Sequence, residues 1–160
     1  PRIVVFGCGG SGYAAQDEEL RFSHLNMAAE EYGESYQMMI QASRMGKGEV
    51  AVGICNSGRT QLTVAALKAE RKAGAHTIGV SSHRGTPLEK ASDVLLSTAP
   101  VHSAFVSASL TPRLSVLFIM DALYCLAAQH GRVSDSLDAI NHHLETNLPP
   151  PRRKYVFPPT

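Results

Sequence analysis

Cysteine is scarce in this sequence, and the cysteines present form no recognisable pair. The 160 residues contain three of them, Cys8, Cys55 and Cys125, which stand far apart without a Cys-x-x-Cys pattern. The seven histidines form no His-Glu-x-x-His pattern, and adjacent histidines such as His142 and His143 point apart on a helix. We therefore expect no disulfide framework, no metal site, and thiols that stay reduced in the cytoplasm.

An excess of charge of one sign is also missing. Fifteen Lys and Arg side chains are balanced by fourteen Asp and Glu side chains, which leaves a net charge of +1 at pH 7. A domain that binds DNA by itself usually carries a basic field, because contacts with phosphate supply much of its affinity. This chain alone is therefore a poor candidate for nucleic-acid binding.

No segment has the length and hydrophobicity of a membrane helix. The longest apolar stretch, 114–128, is interrupted by Ser115 and Asp121 and falls short of the roughly 20 residues that a bilayer requires. No signal-peptide pattern opens the chain, which begins at Pro1 without a methionine and enters a strand-like run directly. We expect no membrane partner, and a chain that was cut from a longer protein.

The sequence does contain enough apolar residues for one core. Hydrophobic residues make up 44% and charged residues 18%, which excludes disorder for the body of the chain. Short β-branched runs alternate with helical patterns, as is typical of an α/β fold with a parallel sheet. Strands are predicted at 2–6, 27–32, 50–54, 76–80 and 94–96, and helices at 11–25, 35–45, 61–72, 87–91, 112–129 and 135–146.

These elements predict a three-layer α-β-α domain over 1–148 with a five-stranded parallel sheet in the flavodoxin-like order 2-1-3-4-5. The strand at 27–32 is expected at a sheet edge, because it contains the pair Glu30-Glu31. The Pro-rich basic tail at 149–160 is expected to lack regular structure.

Two helices carry apolar patterns that predict their packing. In the helix at 61–72, small and apolar residues recur at helical spacing and predict a narrow face packed onto the sheet: Leu62, Ala65, Ala66 and Ala69. The helix at 112–129 is apolar nearly all round, so one face covers the sheet and the other is left for a partner. We therefore expect a homo-oligomer, most simply a two-fold dimer. Asp121 in this helix is expected to be a buried carboxylate that fixes a packing contact.

Two loops that join a strand to a helix are rich in glycine and hydroxyl groups. They are Gly-Cys-Gly-Gly-Ser-Gly at 7–12 and Cys-Asn-Ser-Gly-Arg-Thr at 55–60. A helix N-terminus offers unpaired N–H groups to an anion, glycine allows close approach of the backbone, and Ser or Thr adds directed donors. In the predicted strand order the two preceding strands meet at the switch point of the sheet, so both loops face one crevice.

The first loop taken alone has two other interpretations. Gly7-x-Gly9-x-x-Gly12 matches the dinucleotide fingerprint, and Glu30 or Glu31 lies near the distance expected of an acid that holds a ribose. The loop is also compatible with a tight glycine turn that binds nothing. However, a redox enzyme needs a second domain for which this length leaves no room, and a nicotinamide does not need the hydroxyls of the second loop. A phosphorylated sugar does need these hydroxyl groups, so we expect a phosphorylated sugar as the ligand and no cofactor.

Several segments resemble the SIS (sugar isomerase) domain family. They are Gly-x-Gly-x-Ser at 7–11, Ser-Gly-Arg-Thr at 57–60, Ala-Gly-Ala at 73–75, Ile-Gly-Val-Ser-Ser at 78–82, Thr-Pro-Leu at 86–88 and Ala-Ser-Asp-Val-Leu-Leu at 91–96. Ala-Gln-Asp at 15–17 and Arg113, which leads into Ile-Met-Asp-Ala-Leu at 119–123, are most similar to RpiR-type transcriptional regulators. In those regulators a helix-turn-helix domain precedes a sugar-phosphate-sensing SIS domain. The resemblance therefore implies an effector domain that reaches DNA only through a helix-turn-helix domain outside this chain.

The resemblance also implies a ligand site. The phosphate-binding hydroxyls of the family fall on Ser11, Ser57 and Thr60. The surrounding loop falls on Gly9, Gly10, Asn56, Gly58 and Arg59. The family commonly has a serine where this chain has Cys55, and because a thiol is the weaker donor, either one ligand contact is weakened or the ligand preference is shifted. The Arg59 side chain either pairs with phosphate or faces solvent at the helix start.

A SIS isomerase needs, in addition, a carboxylate base near the sugar and often a histidine. Glu34 after the second strand, and His83 and His102 in later loops, are the candidates, although each is more often a plain surface residue. Because no acid–base pair stands out, we expect no catalytic residues and a sensing domain of a bacterial, cytoplasmic regulator of carbohydrate metabolism. The alternative is a phosphosugar (aldose–ketose) isomerase or lyase.

Overall fold

The computed structural model describes residues 2–42, 44–98, 110–130, 142, 143 and 146. The strands within them are β1 (Arg2–Gly7), β2 (Ala28–Tyr32), β3 (Val50–Ile54), β4 (His76–Ser81) and β5 (Val94–Ser97). The helices are α1 (Gly10–His24), α2 (Ser35–Gln41), α3 (Gln61–Ala73), α4 (Pro87–Ala91) and α5 (Leu110–His130). Each agrees with a predicted element, although α2 ends four residues before the predicted 45. The predicted helix at 135–146 falls outside the described residues except at 142, 143 and 146, and the tail at 149–160 falls outside them entirely.

The five strands pair in parallel in the order β2-β1-β3-β4-β5, which confirms the predicted topology. β2 lies at an edge, as expected, and Arg2 of β1 pairs with Glu30 of β2 at 2.7 Å. The pairing of β1 with β3 ends where Gly7 lies opposite Ile54. The loops that follow these two strands therefore start side by side.

Side chains of β1 alternate between two apolar clusters, one on each face of the sheet. Ile3 and Val5 pack with residues of α1 and α5. Val4 and Phe6 pack with residues of α2, α3 and α4 on the opposite face. The sheet is therefore the middle layer of a three-layer domain, with α1 and α5 on one side and the other three helices on the other.

The prediction of which residues of α3 face the sheet is wrong, because the helix is rotated about its axis relative to the predicted orientation. The buried residues of α3 are Thr63, Ala66, Leu67 and Glu70, whereas Leu62 is 36% exposed and Ala65 is exposed. A large side chain fits against the sheet here because β3 has Gly53 at this position, and a Cβ built on Gly53 would lie 3.1 Å from Leu67. The residue that needed to be small is in the strand, not in the helix.

Helix α5 buries one face and exposes another. Val116 and Met120 are buried against the core, while Leu114, Phe118 and Leu126 are 62%, 75% and 53% exposed. The prediction that Asp121 is buried is wrong, because its side chain is 45% exposed and forms an ion pair with Arg21 of α1. In the part of the chain that the structure describes, no helix combines the length and hydrophobicity needed to cross a membrane.

Candidate functional site

Gly58 determines the shape of the loop between β3 and α3. Its φ of +64° lies in the left-handed region, and a Cβ at this position would lie 2.6 Å from the Cβ of Thr86. Only glycine meets both conditions without strain. Next to it, the Ser57 hydroxyl accepts a hydrogen bond from the Arg59 N–H group at 3.2 Å. Thr60 begins α3 without a side-chain cap, so the helix start is open to another acceptor.

Asn56 faces away from this loop and binds the end of β4. Its carbonyl oxygen accepts hydrogen bonds from the Ser82 N–H group and the Ser81 hydroxyl, each at 3.1 Å. Its side-chain oxygen accepts a hydrogen bond from the Ser82 hydroxyl. Asn56 therefore anchors the loop to the sheet, and its amide oxygen is already occupied.

The sulfur of Cys55 lies beneath the hydroxyl groups of the same loop. It donates a hydrogen bond to the Thr60 hydroxyl at 3.2 Å and accepts one from the Thr60 N–H group at 3.4 Å, and it lies 3.6 Å from the Ser57 hydroxyl. Burial raises the pKa of the Cys55 thiol, but these hydrogen bonds outweigh burial and hold the pKa below its ordinary value. The sulfur thus occupies the Thr60 N–H group, a donor that a bound anion would use.

The loop between β1 and α1 brings a third hydroxyl to this edge of the sheet. Gly9 has a φ of +56° and precedes α1 without a side-chain cap. The Ser11 N–H group donates to the carbonyl of Cys8 at 3.1 Å, which closes the turn. The Ser11 hydroxyl has no partner among the described residues and is partly exposed. Gly10 beside it is exposed, so the backbone is open to a ligand.

Arg113 is the component of this site that sequence reasoning missed. A Cβ built on Gly10 would lie 3.6 Å from a terminal nitrogen of Arg113, and the guanidinium carbon lies 5.4 Å from the ring centre of Tyr13. Among the described residues Arg113 has no carboxylate partner. The sequence signal was an isolated arginine in the first turn of an otherwise apolar helix, but only the fold shows that it reaches the first loop.

A cavity of about 390 Å³ opens beside the first loop, on the side of β2. Its lining is both polar and apolar, and it includes the three fingerprint glycines. The lining residues are Gly7, Gly9, Gly12, Tyr13, Gln16, Glu31, Gly33, Glu34 and Gln37. Glu31 is half-buried and has no hydrogen-bond partner among the described residues. Burial, helped by the nearby charge of Glu19, raises its pKa above the ordinary value. Glu30, the other acid considered for a ribose, is paired with Arg2 instead.

The two candidate bases that the structure describes, Glu34 and His83, make separate contacts. Glu34 caps α2, accepting from the Tyr36 and Gln37 N–H groups at 2.9 and 3.2 Å, and these hydrogen bonds lower its pKa. His83 is exposed, and its Nδ1 lies 3.1 Å from the carbonyl of Asn56. His102 lies outside the described residues. A carboxylate with a lowered pKa is a weak proton acceptor, so the capping role fits Glu34 better.

The model of the SIS domain family matches residues 1–126. The chain belongs to the SIS domain family. An uncharacterized HTH-type transcriptional regulator of Caldanaerobacter subterraneus is 33% identical over 128 residues, which are 80% of this chain and 45% of that protein. A bifunctional protein glk of Burkholderia thailandensis is 32% identical over 122 residues, 76% of this SIS domain chain and 19% of that protein. The SIS domain chain thus spans less than half the length of these curated relatives, and its expected likeness to regulators is confirmed.

Solved structures share the SIS fold. Vibrio vulnificus NanR complexed with ManNAc-6P has a TM-score of 0.80 at 17% identity, covering 90% of this chain and 55% of NanR. The sugar isomerase domain of an RpiR transcription factor from Sphaerobacter thermophilus has a TM-score of 0.75 at 19% identity, covering 88% of this chain and 78% of that one. At such identities the likeness shows a common fold.

Proposed function

We propose that this SIS domain binds a phosphorylated sugar and acts, without catalysis, as the effector-sensing domain of a transcriptional regulator of carbohydrate metabolism. The strongest support is that two loops with hydroxyl groups and open helix starts lie side by side, after β1 and after β3. Backbone N–H groups, hydroxyls and a helix N-terminus together are suited to a phosphate monoester.

The phosphate group lies between the two loops in this proposal. Ser11 donates from the first loop, and Ser57 and Thr60 donate from the second. Arg113 supplies the positive charge, because it reaches Gly10 and has no carboxylate partner among the described residues. Hydrogen bonds to a charged acceptor contribute about 1.5–3 kcal/mol each, so a few such donors suffice for a specific anion site.

The sugar occupies the adjoining cavity. Its volume of about 390 Å³ falls in the range of small-molecule pockets. Glu31 and Gln16 in its lining offer acceptors and donors for sugar hydroxyls, and the glycines allow close approach. An unpartnered, half-buried Glu31 gains the most from such a ligand, since hydroxyl donors replace the water lost on burial.

The regulatory role rests on the relatives, which include HTH-type regulators from several bacteria. In this proposal the SIS domain comprises 1–148, works in the bacterial cytoplasm, and reaches DNA through a helix-turn-helix domain outside this chain. It also forms a homo-oligomer, because Leu114, Phe118 and Leu126 leave an apolar patch on α5 that association would bury.

Calorimetry with a panel of hexose and pentose phosphates tests the ligand assignment. The double substitution Ser57→Ala with Thr60→Ala removes two donors to a charged acceptor, so affinity for the best ligand should fall at least tenfold. Ser23→Ala with Ser97→Ala removes two exposed hydroxyls elsewhere and should leave affinity unchanged. Equal affinity of both double variants would refute the phosphate site.

Arg113 has its own test, because a charge acts through salt-dependent attraction. Arg113→Met should weaken binding about fivefold at low salt and less at high salt. Arg44→Met, which removes an exposed arginine outside the two loops, is the matched control. A salt dependence that is the same in both variants would exclude Arg113 from the site.

One observation favours the isomerase alternative. Glu31 lines the cavity and has a raised pKa, as a general base for proton transfer requires. An isomerisation assay on the same panel separates the two functions. Turnover that disappears in Glu31→Gln while binding persists would establish the enzyme instead of the sensor.

A further inference from the structure

Two cysteines directly follow neighbouring strands at the candidate phosphate site. Gly7 of β1 lies opposite Ile54 of β3, so Cys8 and Cys55 are the next residues in the same register. Parallel strands lie about 4.8 Å apart, and a disulfide needs Cα atoms about 4.4–6.8 Å apart. The backbone therefore places these two cysteines at a separation that a disulfide can span.

The side chains of both cysteines face α3. Cys55 belongs to the apolar cluster on that face, and Cys8 packs against the same cluster. The Cys8 sulfur lies 3.7 Å from the Thr63 hydroxyl, and the Cys55 sulfur lies 3.2 Å from the Thr60 hydroxyl. Thr60 and Thr63 are three residues apart at the start of α3, which makes them neighbours on one helix face. The two sulfurs therefore approach the same turn of α3 from adjacent strands.

We propose that Cys8 and Cys55 form a reversible disulfide with a low-molecular-weight disulfide as oxidant, and that its formation changes the anion affinity of the site. The disulfide itself stands on the strand register and the shared contact with α3, whereas its effect on affinity rests on the proposed phosphate site.

The reaction proceeds by two thiol–disulfide exchanges. Cys8 is partly exposed, so its thiolate attacks one sulfur of the external disulfide and expels one external thiolate. The buried Cys55, as thiolate, then attacks the Cys8 sulfur of the mixed disulfide and expels the second external thiolate. Two electrons pass from the cysteine pair to the external disulfide, which leaves as two thiols. The hydrogen bond from the Thr60 N–H group favours the thiolate of Cys55 in the second step.

Formation of the bond changes the donors available to an anion. A sulfur–sulfur bond of about 2 Å requires the Cys55 sulfur to turn toward Cys8 and to leave Thr60. The Thr60 N–H group then loses its present acceptor, and the Thr60 hydroxyl loses its contact with the sulfur. Both changes favour an incoming phosphate, so the oxidised form should bind inorganic phosphate at least threefold more tightly than the reduced form.

The experiment equilibrates the full chain with oxidised and reduced glutathione, using Cys125→Ser to remove the third, exposed cysteine. Mass spectrometry should show the loss of both remaining thiols, no retained glutathione, and one peptide pair linked through Cys8 and Cys55. Cys8→Ser should leave Cys55 reduced, and Cys55→Ser should stop at a glutathione adduct on Cys8. Accumulation of this adduct in the Cys125→Ser chain that keeps both Cys8 and Cys55 would overturn the proposal. Circular dichroism verifies that both serine variants fold.

Phosphate titration of the two oxidation states then tests the effect on affinity. Disulfide formation with equal phosphate affinity in both states would overturn the coupling between the cysteine pair and the site. Disulfide formation in a chain that binds neither inorganic phosphate nor a sugar phosphate would refute the proposed function and the coupling, while the cysteine pair stands.

Discussion

Glu18 gives the sharpest test of the energetics of this fold. It lies on the buried side of α1 between Ala15 and Phe22 and is fully buried. Neither carboxylate oxygen has a hydrogen-bond partner among the described residues. Burial raises the pKa of Glu18 to about 7, with the attraction of Arg21 opposing the shift. The folded protein therefore keeps this group protonated at a pH where the unfolded chain has lost the proton.

The sign and size of the effect follow from linkage. Because the folded pKa is raised, stability is highest below the unfolded pKa of about 4.5 and declines as pH rises through the folded pKa of about 7. One pKa unit corresponds to about 1.4 kcal/mol, so the raised pKa of Glu18 lowers the free energy of unfolding by about 1 kcal/mol at pH 5 and about 3 kcal/mol at pH 8.

Glu18→Gln removes the titration and keeps the shape of the neutral acid. We expect it to raise the free energy of unfolding by about 1 kcal/mol at pH 5 and about 3 kcal/mol at pH 8. Urea denaturation at a fixed protein concentration measures both values. The matched control is Glu19→Gln, which removes a partly exposed carboxylate at the next position and should change little at either pH. If the free energy of unfolding depends on pH equally in wild type and in Glu18→Gln, the assignment of a raised pKa to Glu18 is refuted.

Two further predictions concern the loop and the outer surface. Gly58→Ala should lower the free energy of unfolding by about 2 kcal/mol, because it combines a positive φ with a clash against Thr86. Gly85→Ala should lower it by only about 1 kcal/mol, because position 85 has a φ of +68° but open space around it. Equal losses of stability in thermal melts of the two variants would exclude the clash. Phe118→Glu should leave a monomer of about 17.2 kDa in sedimentation equilibrium if α5 forms the oligomer, and wild type that is itself monomeric at high micromolar concentration would refute that interface.

Local chemistry made most of the fold predictable from the sequence. Continuous apolar runs such as Val50–Ile54 can be satisfied only by burial on both faces of a parallel sheet. Gly74 ends α3 in the left-handed conformation, which is the usual role of a glycine directly after a helix. The stripe of α3 could not be chosen correctly, because two stripes share the same helical spacing and the choice depends on Gly53 in another strand.

The part of the site that lies within one loop was predictable from the sequence, whereas the part that distant elements contribute was not. Ser57, Gly58 and Thr60 are close in sequence and owe their arrangement to one turn, so the motif identified the loop. Arg113 and Glu31 reach the site from α5 and β2, and their contribution depends on contacts across the fold. The inward orientation of Asn56 likewise depends on Ser82 at the end of β4, which no local pattern shows.

Helix α5 joins two properties that the proposed sensing function requires. Its 21 residues form a rod of about 30 Å that carries Arg113 in its first turn and Phe118 on its outer face. For copies that associate through α5, an anion that draws Arg113 toward Gly10 also acts on the helix at the subunit boundary. Because linked equilibria are reciprocal, association of the subunits must change the affinity for the anion, and the bound anion must change the affinity between subunits by the same factor. The concentration of ligand needed for half-saturation would therefore depend on the concentration of the protein itself.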